Sequence, residues 1–319
     1  MDTILVTGAA GQIGSELVLA LREKYGDERV IASDIRIPAA QAAATPGLFE
    51  PLDCTRPEQV QDVVRRHAVR TIYHLAAMLS AVAEEKPQAA WELNMGGLYH
   101  VLEIARQYHC ALFFPSSIGA FGATTPREKT PQDTVQRPST LYGVTKVAGE
   151  LLADYYARRF GVDVRGLRLP GLISHVAQPG GGTTDYAVEI FYQAIRYRHY
   201  TCFLRPDTAL DMMYMPDAIR AILQLMDADA SRLKHRNAFN ISAMNFTPQD
   251  LATEIGKHIP DFRIDYDIDP VRQSIADSWP RSVDDSAARA EWGWAARHSI
   301  EAMTTDMLEK LGAKLKPAR

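Results

Sequence analysis

Cysteine is scarce in this 319-residue chain. Cys54, Cys110 and Cys202 are odd in number, far apart, and form no C-x-x-C pair. That spacing gives neither a disulfide framework nor a zinc-ligand pattern, so no metal is expected and a reducing compartment is the simpler setting. Long apolar runs are missing too, and no basic, Arg- and Ser-rich leader precedes the first apolar stretch at residues 3–6. Neither a signal segment nor a membrane span is therefore expected. An excess of charge of one sign is also absent. With 35 Lys+Arg against 39 Asp+Glu, the net charge is −4, which offers no footprint for nucleic acid or an anionic membrane. The expectation from these absences is a cytoplasmic protein that handles a small molecule.

What is present is ordinary globular material, 46% hydrophobic and 23% charged, in a chain long enough to bury a large core unaided. Short apolar runs at residues 3–6, 29–33, 49–52, 70–75, 111–114 and 162–169 alternate with helical patterns, the longest at 141–160. Strands alternating with helices predict an α/β fold, a Rossmann-type doubly wound parallel sheet covered on both faces. After Leu169 the pattern changes. A loop signal at 179–184 precedes a helix at 185–197, and residues 212–215 followed by 216–226 read as a strand and helix returning to the main sheet. The expected organisation is a dinucleotide-binding domain of residues 1–170 plus about 208–243. A small discontinuous α/β substrate domain would use 171–207 plus about 244–319.

Two constellations carry chemistry. Thr7-Gly8-Ala9-Ala10-Gly11-Gln12-Ile13-Gly14 lies between the first strand and the first helix. Glycines there let backbone approach a pyrophosphate, and the helix N-terminus supplies amide donors. Glycines alone also suit a plain tight turn; Asp34, 20 residues beyond Gly14 at the end of the second strand, argues for the nucleotide. A carboxylate there accepts from both adenosine ribose hydroxyls and repels a 2′-phosphate, which favours NAD over NADP. The second constellation is Tyr142-Gly143-Val144-Thr145-Lys146. On a helix, i and i+4 share a face, and a nearby ammonium stabilises a phenolate. Ser117 closes the fifth strand at the carboxyl edge, where such sheets bind ligands; Ser116 beside it reads as a turn-capping serine.

The G-x-x-G-x-x-G spacing departs from G-x-G-x-x-G and resembles the extended short-chain dehydrogenase/reductase family. The resemblance implies Ser117, Tyr142 and Lys146 as the catalytic set. It implies NAD contacts from Gly8, Gly11, Gln12, Ile13, Gly14 and Asp34, and from Asp53 near the adenine. His74-Leu75-Ala76-Ala77 resembles that family's H-x-A-A signature, which puts Leu75, Ala76 and Ala77 under the cofactor and leaves His74 as a satisfied, partly buried histidine. Asn94 falls at the structural asparagine position and is implied among the cofactor contacts, as are Tyr142 and Lys146, the lysine at the nicotinamide ribose. The segments 170–174, 179–186, 212–218 and 275–280 resemble more narrowly the short-chain type of L-threonine 3-dehydrogenase. That implies oxidation of the threonine β-hydroxyl to 2-amino-3-oxobutanoate, with Ser80, Ser117, Tyr142, Gly182, Thr184 and Trp279 around the amino acid. The Gly-rich loop would offer its backbone amides and hydroxyls to the substrate, since no arginine clamp for a carboxylate is evident. The rival enzymatic reading is a UDP-sugar 4-epimerase of the same fold. A non-enzymatic NAD-sensing protein is the rival from another class, and the intact Ser-Tyr-Lys set argues against it. A homodimer is expected through helices near residues 84–108 and 141–160.

Overall fold

The computed structural model describes residues 3–35, 48–178 and 180–315. Seven strands form one all-parallel sheet: β1 (Thr3–Thr7), β2 (Val30–Asp34), β3 (Phe49–Pro51), β4 (Val69–His74), β5 (Ala111–Ser117), β6 (Val164–Leu169) and, far along the chain, β10 (Phe239–Asn240). Their order is β10-β6-β5-β4-β1-β2-β3. The chain winds one way from β1 to β3 and the other way from β4 onward, so the strand order reverses between β1 and β4. A crevice opens at the carboxyl ends of such a switch.

The sheet is apolar on both faces because helices cover both. In β1, Leu5 joins a core with α2 (Pro57–Arg66), α5 (Leu98–Tyr108) and α6 (Leu141–Phe160), after the short helices α3 (Ser80–Glu85) and α4 (Pro87–Trp91). Ile4 and Val6 point to the other face, where α1 (Gln12–Tyr25), α8 (Met215–Asp227) and α11 (Ser286–Trp292) pack. This is the period-two alternation of a strand buried on both sides. Pro115 sits inside β5 without breaking it, because β4 pairs only with residues 111–113 of β5 and asks no amide of residue 115.

A third core belongs to the later chain. It gathers α7 (Tyr186–Tyr197), α9 (Pro248–His258), α10 (Pro270–Ser278) and α12 (Ile300–Leu315). Around it lie the parallel pair β8 (His199–Cys202) and β12 (Arg263–Tyr266). One expectation fails here. β9 (Leu210–Tyr214) does not return to the main sheet; it pairs in parallel with β7 (Gly171–Ile173) and antiparallel with β11 (Met244–Phe246). The chain turns away from the main sheet at Pro170, so the edge it offers β9 is β7, and the place beside β6 falls to β10. Of the expected strand and helix, α8 alone rejoins the main layer. β9 divides its side chains accordingly, Met212 and Tyr214 into the later core and Met213 into the sheet's core.

Asp211 of β9 is fully buried. Its carboxylate accepts from the Val283 amide at 2.7 Å and the Ser242 hydroxyl at 3.2 Å, which ties the segment following Trp279 to β9. Burial pushes the Asp211 carboxyl up to about 6, against the pull of those hydrogen bonds. A carboxyl whose folded-state pKa is raised opposes folding once ionised, so its penalty is absent at low pH and grows as pH rises from about 4 through 6. In Asp211→Asn the amide oxygen still accepts from Val283 and its NH2 faces Ser242. The expected outcome is a Tm above the parent's at pH 7 and equal to it near pH 4. A thermal melt series from pH 4 to 8 checks this; parallel curves would refute the account.

Candidate active site

The crevice at the β1/β4 switch is shaped by backbone. Gly8 has φ +70°, and a Cβ on it would stand 2.7 Å from the Ala76 nitrogen. A Cβ on Gly14 would stand 2.3 Å from the Gly8 carbonyl. No side chain fits at either place, so α1 starts directly against the loop. Gly11 caps α1 without any side-chain acceptor, and no carboxylate occupies the first turn, leaving the N-terminal amides for an anion. Gly8, Gly11, Asp34, Asp53, Ala76 and Ala77 lie along one end of the trough. Asp34 accepts from the Ala10 amide at 3.0 Å, which fixes its carboxylate beside the glycine loop. Asp53 lines the same end, but its Oδ1 accepts from the Thr55 amide and hydroxyl at 2.9 and 2.7 Å and so also starts the turn into α2. An uncapped helix end, a cradle that excludes Cβ atoms and a carboxylate at the end of β2 together suit a dinucleotide.

The trough continues past Leu75 and Ala77 to the end of β5 and the start of α6. Here Ser117, Tyr142 and Lys146 come together. Thr140 caps α6 by accepting from the Gly143 amide at 3.1 Å, placing Tyr142 in the first turn and Lys146 one turn later. The Ser117 hydroxyl bonds the Tyr142 phenol, which burial otherwise pushes up in pKa. Lys146 is buried, lies 5.4 Å from the Tyr142 ring centroid, and donates to the Pro115 carbonyl at 2.6 Å. Burial lowers the Lys146 ammonium to about 8, with Glu150 opposing. The arrangement suits proton abstraction from a hydroxyl held by Ser117.

Two residues differ from expectation. His74 is fully rather than partly buried and only half satisfied: Nδ1 pairs with the Thr7 hydroxyl at 2.9 Å, while Nε2 has no partner among the described residues. Burial, helped by the Lys146 charge, drops its pKa to about 3, so the ring is neutral. Asn94, expected among the cofactor contacts, lines neither end of the trough. Its amide oxygen accepts from the Met78 amide at 2.8 Å, and its nitrogen donates to the Met78 carbonyl and the Thr145 hydroxyl at 3.2 and 3.3 Å. It holds the backbone after β4 against α6 from within an i→i+5 turn, Glu92–Gly97.

The wall facing Tyr142 comes from the later chain. Gln12, Ile13, Ser80, Gly182, Thr184 and Trp279 all line this end; Pro179 lies outside the described residues. The glycine loop, however, does not turn all its amides to the cleft. The Gly181 and Gly182 amides donate to Asp185 Oδ2 at 2.8 and 2.7 Å. Asp185 is buried and its pKa is raised by that burial, which those amides partly offset; a buried carboxylate captures the nearest donors. Sequence reasoning passed over Asp185, and also Thr183, whose buried hydroxyl has no partner among the described residues. A Gly-Gly-x-x-Asp spacing leading into a helix was the available signal for Asp185. Thr183 carried no signal that separates it from Thr184.

Fold and site together define a Rossmann-type, dinucleotide-dependent enzyme of the short-chain dehydrogenase/reductase kind. The profile of the NAD dependent epimerase/dehydratase family matches residues 4–242, and the chain belongs to that family. An uncharacterized epimerase/dehydratase of Staphylococcus haemolyticus is 54% identical over 98% of this chain and 99% of its own. The structure of an L-threonine dehydrogenase from Clostridium difficile superposes with a TM-score of 0.96 at 55% identity, covering 98% of both chains. A UDP-glucose 4-epimerase from Thermotoga maritima superposes at 0.84 with 24% identity, over 98% of this chain and all of that one, a likeness of fold alone.

A Cβ on Gly182 would stand 2.9 Å from Asp185 Oδ1. Gly182→Ala is therefore expected to push the carboxylate off the two glycine amides. Losing charge-assisted hydrogen bonds of this kind should speed hydrogen exchange at Gly181 at least about tenfold. Unchanged protection at that amide would mean that Asp185 does not hold the loop.

Proposed function

We propose that this chain is an NAD-dependent L-threonine 3-dehydrogenase that oxidises the β-hydroxyl to a ketone, yielding 2-amino-3-oxobutanoate. The observation that carries the reading is the likeness to the Clostridium difficile L-threonine dehydrogenase, which runs through the substrate-side segments as well as the nucleotide half. In this reading Gly8, Gly11, Gln12, Ile13, Gly14 and Asp34 hold the pyrophosphate and ribose. Asp53, Leu75, Ala76 and Ala77 border the adenine and nicotinamide path, with Asn94 setting the backbone beside it. Bound NAD supplies the hydride acceptor for the threonine β-carbon. Ser117 positions the β-hydroxyl, Tyr142 takes its proton, and the Lys146 ammonium lowers the cost of the phenolate. Ser80, Gly182 and Thr184 surround the amino acid, and Trp279 closes the cleft from the later chain. Asp185, the only carboxylate lining this end among the described residues, carries the charge that suits an α-ammonium.

The test is NADH absorbance after mixing protein, NAD and L-threonine, with UDP-galactose and other β-hydroxy amino acids in parallel. Net NADH with threonine is expected, and none with UDP-galactose, because an epimerase retains its reduced cofactor. Tyr142→Phe should bind NAD as the parent does and lose more than about a thousandfold in kcat, in keeping with the loss of a general base. A rate within about tenfold of the parent, a barrier change of only ~1.4 kcal/mol, would remove Tyr142 from that role.

We also propose that the chain pairs with a second copy. Trp91, Tyr99, Leu151, Tyr155 and Phe160 are each 41–60% exposed on α4, α5 and α6, the helices from which a dimer is expected. Large apolar side chains left exposed on these helices suit cover by a partner. Sedimentation at micromolar concentration should give a mass near twice 35.4 kDa, and Leu151→Glu with Tyr155→Glu should halve it; a parent of single-chain mass would refute the pairing.

A further inference from the structure

Directly behind Tyr142 and Lys146 lies a buried polar cluster that proton abstraction does not use. Glu150, 4% exposed, is one turn beyond Lys146 on α6. Its Oε1 accepts from the Ser116 hydroxyl and from Arg168 Nε at 3.0 Å; its Oε2 accepts from Arg168 Nη2 at 2.8 Å and Gln136 Nε2 at 2.9 Å. The cluster thus joins α6 to β5 beside Ser117, to β6, and to the loop that leads into α6. Arg168 extends it, donating to the Gln132 carbonyl at 2.7 Å and to Asn240 of β10 at 3.0 Å. Every acceptor lone pair of the carboxylate faces a donor. A full ion pair is more than packing needs, since apolar residues of similar volume often stabilise as well.

We propose that Glu150, held by Arg168 and Ser116, is the positioning residue that keeps Lys146 charged at neutral pH, a role that rests on Tyr142 and Lys146 being the proton-handling pair. Residues i and i+4 share a helix face, and both groups are out of water, where a charge is felt most strongly. The other charged or titratable groups around Lys146 do not supply that charge. His74 on β4 is neutral. Asp185 belongs to the opposite wall and is committed to the Gly181 and Gly182 amides. Glu84 is engaged by the Leu141 amide at 2.6 Å at the start of α6. Asp154 lies a further turn along α6, where Asn237 reaches it at 3.4 Å. Arg168 pushes the other way. Glu150 is the negative group left to balance the buried ammonium, which burial brings down to about 8 even with Glu150 opposing.

The test follows the Lys146 side chain by NMR in protein carrying 13C-labelled lysine, with Lys146→Met identifying the signal. Glu150→Gln keeps the shape and deletes the charge, and its Lys146 midpoint should fall by about one pH unit or more. Glu150→Asp keeps the charge and should titrate close to the parent. Ser116→Ala removes one hydrogen bond from the carboxylate and no charge, and should also titrate with the parent. A Glu150→Gln midpoint equal to the parent's overturns the proposal, as does a fall in Ser116→Ala as large as that in Glu150→Gln. Should Glu150→Gln fail to fold, the doubly neutral Glu150→Gln/Arg168→Gln protein is measured instead. Glu150 shares the helix face of Lys146 and Arg168 stands on the strand β6, so the midpoint should still fall, and a parent-like value overturns the idea. The titration needs neither NAD nor threonine. An inactive parent would therefore sink the dehydrogenase reading without deciding this one.

Discussion

Gly8 passes so close to the Leu75–Ala76 backbone that no side chain fits between them, and the rest of the site is arranged around that approach. Because β1 and β4 end side by side, Leu75 donates to the Thr7 carbonyl at 3.1 Å and the two chain exits diverge. The first turns into α1, whose amides face back toward the crevice. The second runs past Ala76 and Ala77 to Met78, where Asn94 fixes it against α6. A larger residue at position 8 or 14 would force these layers apart. The trough, the helix dipole aimed at it and the placement of Tyr142 are consequences of one close backbone contact.

Around that contact, burial sets the charge states. Taking a titratable group out of water favours its neutral form. His74 is held neutral this way, and Lys146 is drawn partway, to about 8. An ammonium this close to neutrality at working pH depends on what stands near it. The Pro115 carbonyl satisfies one of its protons, and that carbonyl is available because β4 has ended before residue 115 and the sheet makes no demand there. The same departure that lets a proline sit in a central strand gives the lysine its acceptor.

How much of this was legible in the sequence follows from where each constraint lives. Short apolar runs, glycine spacing and an i,i+4 pair are local, so the sheet, the loop at 7–14 and the Tyr142–Lys146 pair could be read directly. Ser117 was legible through its place at the carboxyl edge of the fifth strand. Partners chosen in space were not. Nothing local in residues 210–214 says that β7 rather than β6 will be the neighbour; that depends on Pro170 turning the chain away. Nothing near Asn94 names Met78 and Thr145. The glycines at 181 and 182 look like open donors until Asp185 is seen to take them, and Glu150 looks like an exposed helix residue until Ser116 and Arg168 close on it.

The division of labour between the two parts of the chain explains why the substrate was the harder inference. The nucleotide half serves a ligand common to a whole family, the NAD dependent epimerase/dehydratases whose profile matches residues 4–242. Discrimination has to come from the wall facing Tyr142, built by the loop before α7 and by Trp279. Those pieces are held by single buried carboxylates: Asp185 gathers the loop, and Asp211 tethers the segment after Trp279 through Val283. A carboxylate taking backbone amides fixes where a loop runs without dictating which side chains it carries. The wall can then change its lining residues while the tethers, the sheet and the Tyr142–Lys146 pair stay in place.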